Sequence, residues 1–407
     1  MSSPDRTAGA VRSERGLFLE ILVRRFVARI HAGGLTVEVP SGGRMTHKGA
    51  RPGPQAFLTI HRWRAIWRLI LLGDVGFAES YITGDWSSRD LPAFIELAAR
   101  NMESLEAKID GSLATRLIAR LRHLAHANTR TGSRKNIAFH YDLGNAFYEC
   151  WLDPSMTYSS ALYAGPFDTL EDAQARKIKR IAELLNINNS SDVLEIGCGW
   201  GALAISLAEL CRSVKGVTLS AEQLAYAKGR VREKGLEHKI DFELCDYRDI
   251  GGAFDRIVSI EMIEAVGQTF WPLYFEALRD RLRPGGAVVL QAITIDESRS
   301  ESYRQSPDFI QRHVFPGGML PTRTAIVQEA EKVGLAFSFS ESFGESYART
   351  LSEWRRRFLA SRRGIAAMGF SEEFLRMWDY YLSYSEGGFR AGIVDVGFYG
   401  FRRAAAR

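Results

Sequence analysis

Three glycines, Gly197, Gly199 and Gly201, punctuate the string VLEIGCGWGALAIS between a short apolar run and the start of a helical one. Glycine turns a backbone sharply and lets a ligand approach it with no Cβ in the way. A strand that ends in such a loop and passes straight into a helix binds nucleotides at the carboxyl edge of a parallel sheet. Gly197, Gly199 and Ala202 also satisfy a dinucleotide fingerprint. That reading needs an acid at the end of the second strand to hold a ribose, and Thr218 of VTLSAEQ stands there. Glu195, just before the glycines, is instead the acid expected in S-adenosylmethionine (SAM) methyltransferases, facing the cofactor's amino-acid end. Asp246 and Tyr247, after the third strand, are placed for the adenine. SAM is the expected cofactor. A second group of reactive side chains, Tyr158, Ser159 and Ser160 in MTYSSALY, precedes the sheet.

From about residue 190 the chain alternates strand and helix patterns. DVLEIG, VKGVTL, KIDFELC, FDRIVSI, GGAVVLQAI and LAFSFSES read as strands, separated by helices such as AEQLAYAKGRVREK and FWPLYFEALRDRL. The pattern predicts an α/β, Rossmann-like class I SAM-methyltransferase sheet with helical insertions. A helical insertion spans about 345–386, before a last strand in GIVDVGFYGFRR. The first third mixes helix and strand: LFLEILVRRFVARI has helical spacing, and LTVEVPSGGRMTHKG reads as strand, Gly-Gly turn, strand. GFAESYITGDWSSRD reads as a turn region before a helix capped near Ser88 or Asp90. The predicted division is a smaller N-terminal α+β domain over 1–130 and a catalytic domain over 131–407.

Charge is uneven. Residues 1–135 hold 21 Lys and Arg against 12 Asp and Glu, whereas the whole chain has a formal net charge of only +5. A basic front part suits an anionic partner, and a phospholipid surface is the expected one. The Trp/Arg stretch RWRAIWRL and the acid-free segment 112–135, read as a basic amphipathic helix, are the candidate docking elements. No apolar run reaches the roughly 18 residues of a membrane span. The N-terminus has no signal-peptide core, so a cytoplasmic enzyme attached peripherally to the inner face of the membrane is expected. Cys150, Cys198, Cys211 and Cys245 show no paired metal spacing, so no metal is expected.

In HYDLGNAFYECWLDPSMTYSSALY, LEIGCGWG, VTLSAEQ, SIEMIEAVG, FPGGMLP and ESYARTLSEWRRRF, the sequence resembles the cyclopropane-fatty-acid synthase family of SAM-dependent lipid methyltransferases. The resemblance runs from about 136 to the C-terminus and more weakly before it. It implies attack of an acyl double bond of an unsaturated phospholipid on the SAM methyl, a carbocation, and loss of a proton. Loss from the new methyl closes a cyclopropane; loss from a chain carbon leaves a methyl or methylene branch. Tyr158, Ser159, Gly197, Gly199, Gly201, Thr218, Gln223 and Tyr247 match the family's SAM positions. In ring-forming members a bound bicarbonate takes the proton, held by a cysteine, a glutamate, a histidine and a tyrosine. The glutamate matches Glu264 and the tyrosine Tyr347, but the cysteine position is Ser160 and the histidine position is Gln291 in VLQAI. A neutral amide holds an anion less well than a group that shares a proton. Less reliance on bicarbonate, and a branched product, are therefore expected, with Glu264 the first candidate base.

Tyr141, Phe147, Tyr148, Tyr158, Phe270 and Trp271 are candidates to face the cation, and a homodimer is compatible with the resemblance. Two other readings stand beside this one: a membrane-associated methyltransferase of small molecules, and a catalytically impaired SAM-binding lipid sensor. Nucleic acid is the remaining partner for a basic face, but no target-base motif appears, so none is expected.

Overall fold

The computed structural model describes residues 14–102 and 143–405. The chain divides into two compact units, Met1–Ser112 and Leu113–Arg407. The expected boundary near 130, the basic segment 112–135 and Tyr141 lie outside the described residues.

In the N-terminal unit, β1 (Ala32–Glu38), β2 (Arg44–Lys48), β3 (Arg51–Ile60) and β4 (Trp86–Ser87) form a sheet of order β2-β1-β3-β4. β1 and β2 are the antiparallel hairpin read from the Gly-Gly turn, with Thr36 opposite Thr46. The helix Leu91–Arg100 starts at Asp90, whose carboxylate accepts from Ala93 N. Asn101, fully buried at its end, ties this helix to the sheet. Its Oδ1 accepts from His31 N and Ala32 N at 2.8 and 3.0 Å, and its Nδ2 donates to Ala32 O and Leu97 O.

One local expectation is corrected here. GFAESYI is helical, the second part of a helix Arg64–Ile82 that bends at Gly73, where φ is +68°. Val75, Phe77, Ala78 and Tyr81 bury their side chains, so packing holds this segment helical despite the adjoining Gly and Asp. Arg64 then donates twice, at 2.8 and 2.9 Å, to the buried Asp85 that follows the helix.

The second unit carries β5 (Asp192–Ile196), β6 (Ser213–Thr218), β7 (Ile240–Leu244), β8 (Phe254–Ile260), β9 (Leu282–Ile295), β10 (Leu335–Ser342) and β11 (Val394–Arg403). The order is β10-β11-β9-β8-β5-β6-β7, parallel from β9 to β7, with β11 antiparallel to both neighbours. The helices Gly344–Ala360, Arg362–Ala367 and Glu372–Ala391 fill the chain between β10 and β11, as the helical insertion was expected to do. β5 is flanked by β6 on one side and β8 on the other, so the strand order reverses there. The crevice outside the carboxyl ends of β5 and β8 is the place where an open α/β sheet binds ligands.

Before the sheet, the helix Leu170–Leu185 opens with a capping box between Thr169 and Asp172. It buries Leu170, Ala173, Gln174, Lys177, Ile181 and Leu185. Two polar side chains thus stand on an otherwise apolar stripe, a sign of a specific polar partner beneath. No helix among the described residues is long and apolar enough to cross a membrane.

Candidate active site

The glycine loop leaves β5 at the switch point. Gly197, Gly199 and Gly201 all have positive φ, which L side chains adopt only with strain. A Cβ at Gly201 would meet the Phe242 ring at 2.9 Å, so this glycine lets the following helix pack on the sheet. At Gly199 a Cβ would meet no atom within 4 Å among the described residues beyond its two chain neighbours, so the backbone there has room for a ligand. Glu195 is almost fully buried, and its Oε2 has no hydrogen-bond partner among the described residues. Burial pushes its carboxyl up to about 8, against a bond from Ala204 N and the charge of Lys177. An orphaned acid beside an open glycine backbone fits the cationic amino-acid end of SAM.

At the neighbouring strand ends, Thr218 Oγ1 donates to Gln223 Oε1 at 2.9 Å and accepts from Ser220 N. Asp246 is gripped by its own turn: Arg248 Nε and Nη2 reach its two carboxylate oxygens at 2.8 and 2.6 Å. The Arg248 guanidinium also lies 5.3 Å from the centroid of the Tyr247 ring.

The YSS segment is held from three directions. Tyr158 Oη lies 2.8 Å from Tyr381 Oη. Lys177 Nζ donates to Ser159 Oγ at 2.7 Å, and Gln174 Nε2 donates to Ser159 O at 3.0 Å. Ser160 N donates to a carboxylate at 2.8 Å, while its hydroxyl bonds locally to Ala161 O. That carboxylate belongs to Glu261, not to Glu264. Gln291 Nε2 donates to the same Glu261 Oε1 at 2.7 Å, and Tyr347 Oη donates to Oε2 at 2.7 Å. Ser160, Gln291 and Tyr347 are therefore brought together, around a residue the sequence reading passed over.

Glu261 follows β8 directly, with φ +48°. For a residue other than glycine this left-handed backbone costs about 1–2 kcal/mol. It is held by the bond from Glu261 N to Gln291 O, 2.7 Å. Glu264 lies one turn further on, and its Oε1 accepts from Ile293 N at 2.5 Å. Its other oxygen is buried with no partner among the described residues. Burial, and then the Glu261 charge, push the Glu264 carboxyl up to about 8. Glu261 is raised by burial too, but Tyr347, Ser160, Lys177 and Gln291 all pull it back toward the ionised form. In this coupled pair the donors around Glu261 and the charge of Lys177 favour the ionised form there over ionisation of Glu264. Both residues lie deep in the molecule yet keep some accessible surface.

An aromatic wall backs the Tyr158 ring, its other members fully buried. The Tyr158 ring lies 5.3 Å from Trp354, 5.4 Å from Trp151 and 5.5 Å from Tyr148. Tyr347 lies 4.6 Å from Phe389. Of the aromatic candidates, Phe147, Tyr148 and Trp271 are packing residues, Trp271 within the core of the sheet unit. Tyr158 and Phe270 keep accessible surface.

Lys177 was also missed. Burial pulls its ammonium down to about 8, and it is coupled to Glu261, Asp153 and Glu195. Its charge acts on both Glu195 and Glu261. Its signal was present: a lysine on the buried stripe of an amphipathic helix. For Glu261 the signal was an acid at the first position after a parallel strand, on the ligand-binding edge.

The profile of the family described as mycolic acid cyclopropane synthetase matches residues 128–398. The tuberculostearic acid methyltransferase UfaA1 of Mycobacterium tuberculosis is 42% identical over 360 residues, covering 86% of this chain and 84% of that one. The cyclopropane-fatty-acyl-phospholipid synthase of Escherichia coli is 38% identical over 335 residues, covering 81% and 83%. Among solved structures, the mycolic acid cyclopropane synthase CmaA1, complexed with SAH and CTAB, aligns with a TM-score of 0.63 at 28% identity, over 66% of this chain and 98% of that one.

Proposed function

We propose, from the premise that the chain belongs to the mycolic acid cyclopropane synthetase family and is a SAM-dependent lipid methyltransferase, that it adds one carbon to the double bond of an unsaturated acyl chain of a membrane phospholipid. The observation that carries the reading is the junction, at the sheet's switch point, of an open glycine loop, an aromatic wall and two enclosed carboxylates. An alkene is a weak nucleophile, so it needs a dry site and a close electrophile rather than polar substrate contacts.

Bound SAM supplies an electrophilic methyl on a sulfonium, whose bonding pair returns to sulfur as the π electrons of the alkene take the methyl. Glu195 would hold its ammonium, the backbone at Gly197, Gly199 and Gly201 would lie against it, and Thr218, Gln223, Asp246 and Tyr247 would hold the nucleoside. Tyr158 and Ser159, fixed by Tyr381 and Lys177, would contact the cofactor. Aromatic faces stabilise the cation left on the chain by roughly 0.5–2 kcal/mol. The carboxylate junction of Ser160, Gln291, Tyr347, Glu261 and Glu264 takes the last proton. Which C–H bond breaks decides between a cyclopropane and a branched chain.

Release of S-adenosylhomocysteine from vesicles of unsaturated phospholipid, absent with saturated phospholipid, is the expected result. Mass and proton spectra of the lipid assign ring or branch. No release with any unsaturated lipid, while a small amine or phenol is methylated, would refute the substrate class. SAM binding without turnover would favour the lipid sensor.

Docking to the bilayer is assigned to the N-terminal unit. Trp67, Ile70, Leu71 and Leu72 are exposed on the first part of the helix Arg64–Ile82, close in sequence to exposed Arg62 and Arg64. Such a face suits the headgroup boundary of an anionic membrane at the inner surface of the cell. The double variant Trp67→Glu, Leu71→Glu is expected to weaken binding to anionic vesicles roughly tenfold or more. SAM affinity should stay unchanged. Salt should weaken the wild-type interaction; equal binding by variant and wild type would move docking elsewhere.

A further inference from the structure

We propose that the Glu261 carboxylate is this enzyme's own acceptor of the last proton, seated where ring-forming relatives are expected to hold bicarbonate, so that no bound anion is needed. The inference rests on the methyl-transfer reading above and deepens it.

Three of the four positions that the resemblance marks as anion holders point their donors at one side chain. Ser160 N and Gln291 Nε2 reach Glu261 Oε1 at 2.8 and 2.7 Å, and Tyr347 Oη reaches Oε2 at 2.7 Å. A carboxylate and a bicarbonate present the same planar O–C–O edge with one delocalised charge. The donor set that would hold the one is taken up by the other. A second anion among the same donors would face the charge of Glu261 at close range, which opposes its binding.

The backbone supports the assignment. Glu261 adopts φ +48° with its amide bonded to Gln291 O at 2.7 Å, and this conformation belongs to the segment that carries the carboxylate into the junction. Strain of this kind persists where the surroundings over-determine it and is enriched at functional sites. The two departures from the family pattern then have a reason. Gln291 offers a neutral donor to a carboxylate already in place, and Ser160 contributes through its backbone amide while its hydroxyl turns to Ala161 O. Lys177 supplies a nearby positive charge, and Glu264, which accepts from Ile293 N, stays out of the donor set.

In the step itself, a C–H bond of the transferred methyl, or of the chain carbon next to the cation, breaks and its proton goes to a Glu261 oxygen. The bonding pair forms either the third bond of the ring or a new carbon–carbon double bond. Neutral Glu261 returns the proton to water after product leaves. No oxidant or reductant is required.

The test uses the full-length enzyme with unsaturated phospholipid vesicles, in buffer purged of carbon dioxide and again with added bicarbonate. Wild-type turnover is expected to be equal in both. Glu261→Gln should lower kcat roughly a hundredfold or more with SAM affinity retained. Glu264→Gln should cost at least tenfold less than that. Glu261→Gly, which suits a positive φ, vacates the seat; bicarbonate or formate should restore about tenfold of its lost turnover and leave wild type unchanged. Carbon-13 NMR of labelled bicarbonate with the SAH-bound proteins gives a readout independent of turnover: binding by Glu261→Gly and none by wild type. Wild-type dependence on bicarbonate, wild-type binding of it, or a larger loss at Glu264 than at Glu261 would overturn the proposal. Wild type that releases no SAH while the NMR result holds would count against the substrate reading alone.

Discussion

Replacing Glu195 with glutamine is expected to weaken SAM binding by about 10- to 100-fold while leaving the fold intact, because a charge-assisted bond to an ammonium contributes roughly 1.5–3 kcal/mol. The unliganded protein keeps this acid buried with one oxygen unpaired and its carboxyl pushed up to about 8. At neutral pH it therefore holds a proton, which an arriving ammonium displaces. SAM affinity should rise with pH up to about 8 and level off above, and calorimetry at pH 7 in two buffers should show a proton released. The glutamine variant should lose both the pH dependence and the released proton. The sign for stability is opposite. Glu195 and Glu264 bind their protons more tightly folded than unfolded, so their contribution is complete below the ordinary carboxylate range and is lost as pH rises toward 8. SAM should offset the Glu195 share of that loss. Unchanged affinity in the variant would remove Glu195 from the cofactor site.

Trp86→Ala is expected to cost the N-terminal unit about 3–5 kcal/mol. Trp86 is fully buried, stacked on Phe77 at 4.4 Å, with Tyr81 at 5.0 Å and Phe94 at 5.3 Å. Its indole N–H donates to Phe77 O at 2.8 Å, so truncation opens a cavity and removes a buried hydrogen bond together. The bend at Gly73 and the second part of its helix have this ring as their anchor. Hydrogen exchange should show the loss in Met1–Ser112, and SAM binding by the second unit should persist. Full retention of N-terminal protection would show that the ring is dispensable, and loss of SAM binding would show that the two units unfold as one.

The alternation of strand and helix beyond residue 190 was legible because each element announces itself through apolar spacing within a dozen residues. The glycine loop was legible for the same reason: strand, three glycines and helix form one short string, and the conformation each glycine must adopt is local. Thr218 ends the second strand, Gln223 lies in the first turn of the helix after it, and Asp246 and Tyr247 stand just past the third, so strand order places all four at the sheet's carboxyl edge. Even there the string DYRD left one thing unread. Arg248 engages both oxygens of Asp246 from two residues away, so the acid meets any ligand as half of an ion pair.

What the sequence by itself determined is the class of sheet, the glycine loop at its edge and the pool of side chains from which the candidate site is drawn. Tertiary structure alone decided which carboxylate stands among the donors. Glu261 and Glu264 lie three residues apart in SIEMIEAVG, and nothing local separates them. The choice depends on one positive φ, on the register that places Ile260 opposite Gln291, and on donors 101 and 86 residues distant in the chain at Ser160 and Tyr347. Local spacing encodes short-range backbone preference; the charge state and partner of a buried acid depend on groups that only the closed fold brings within 3 Å.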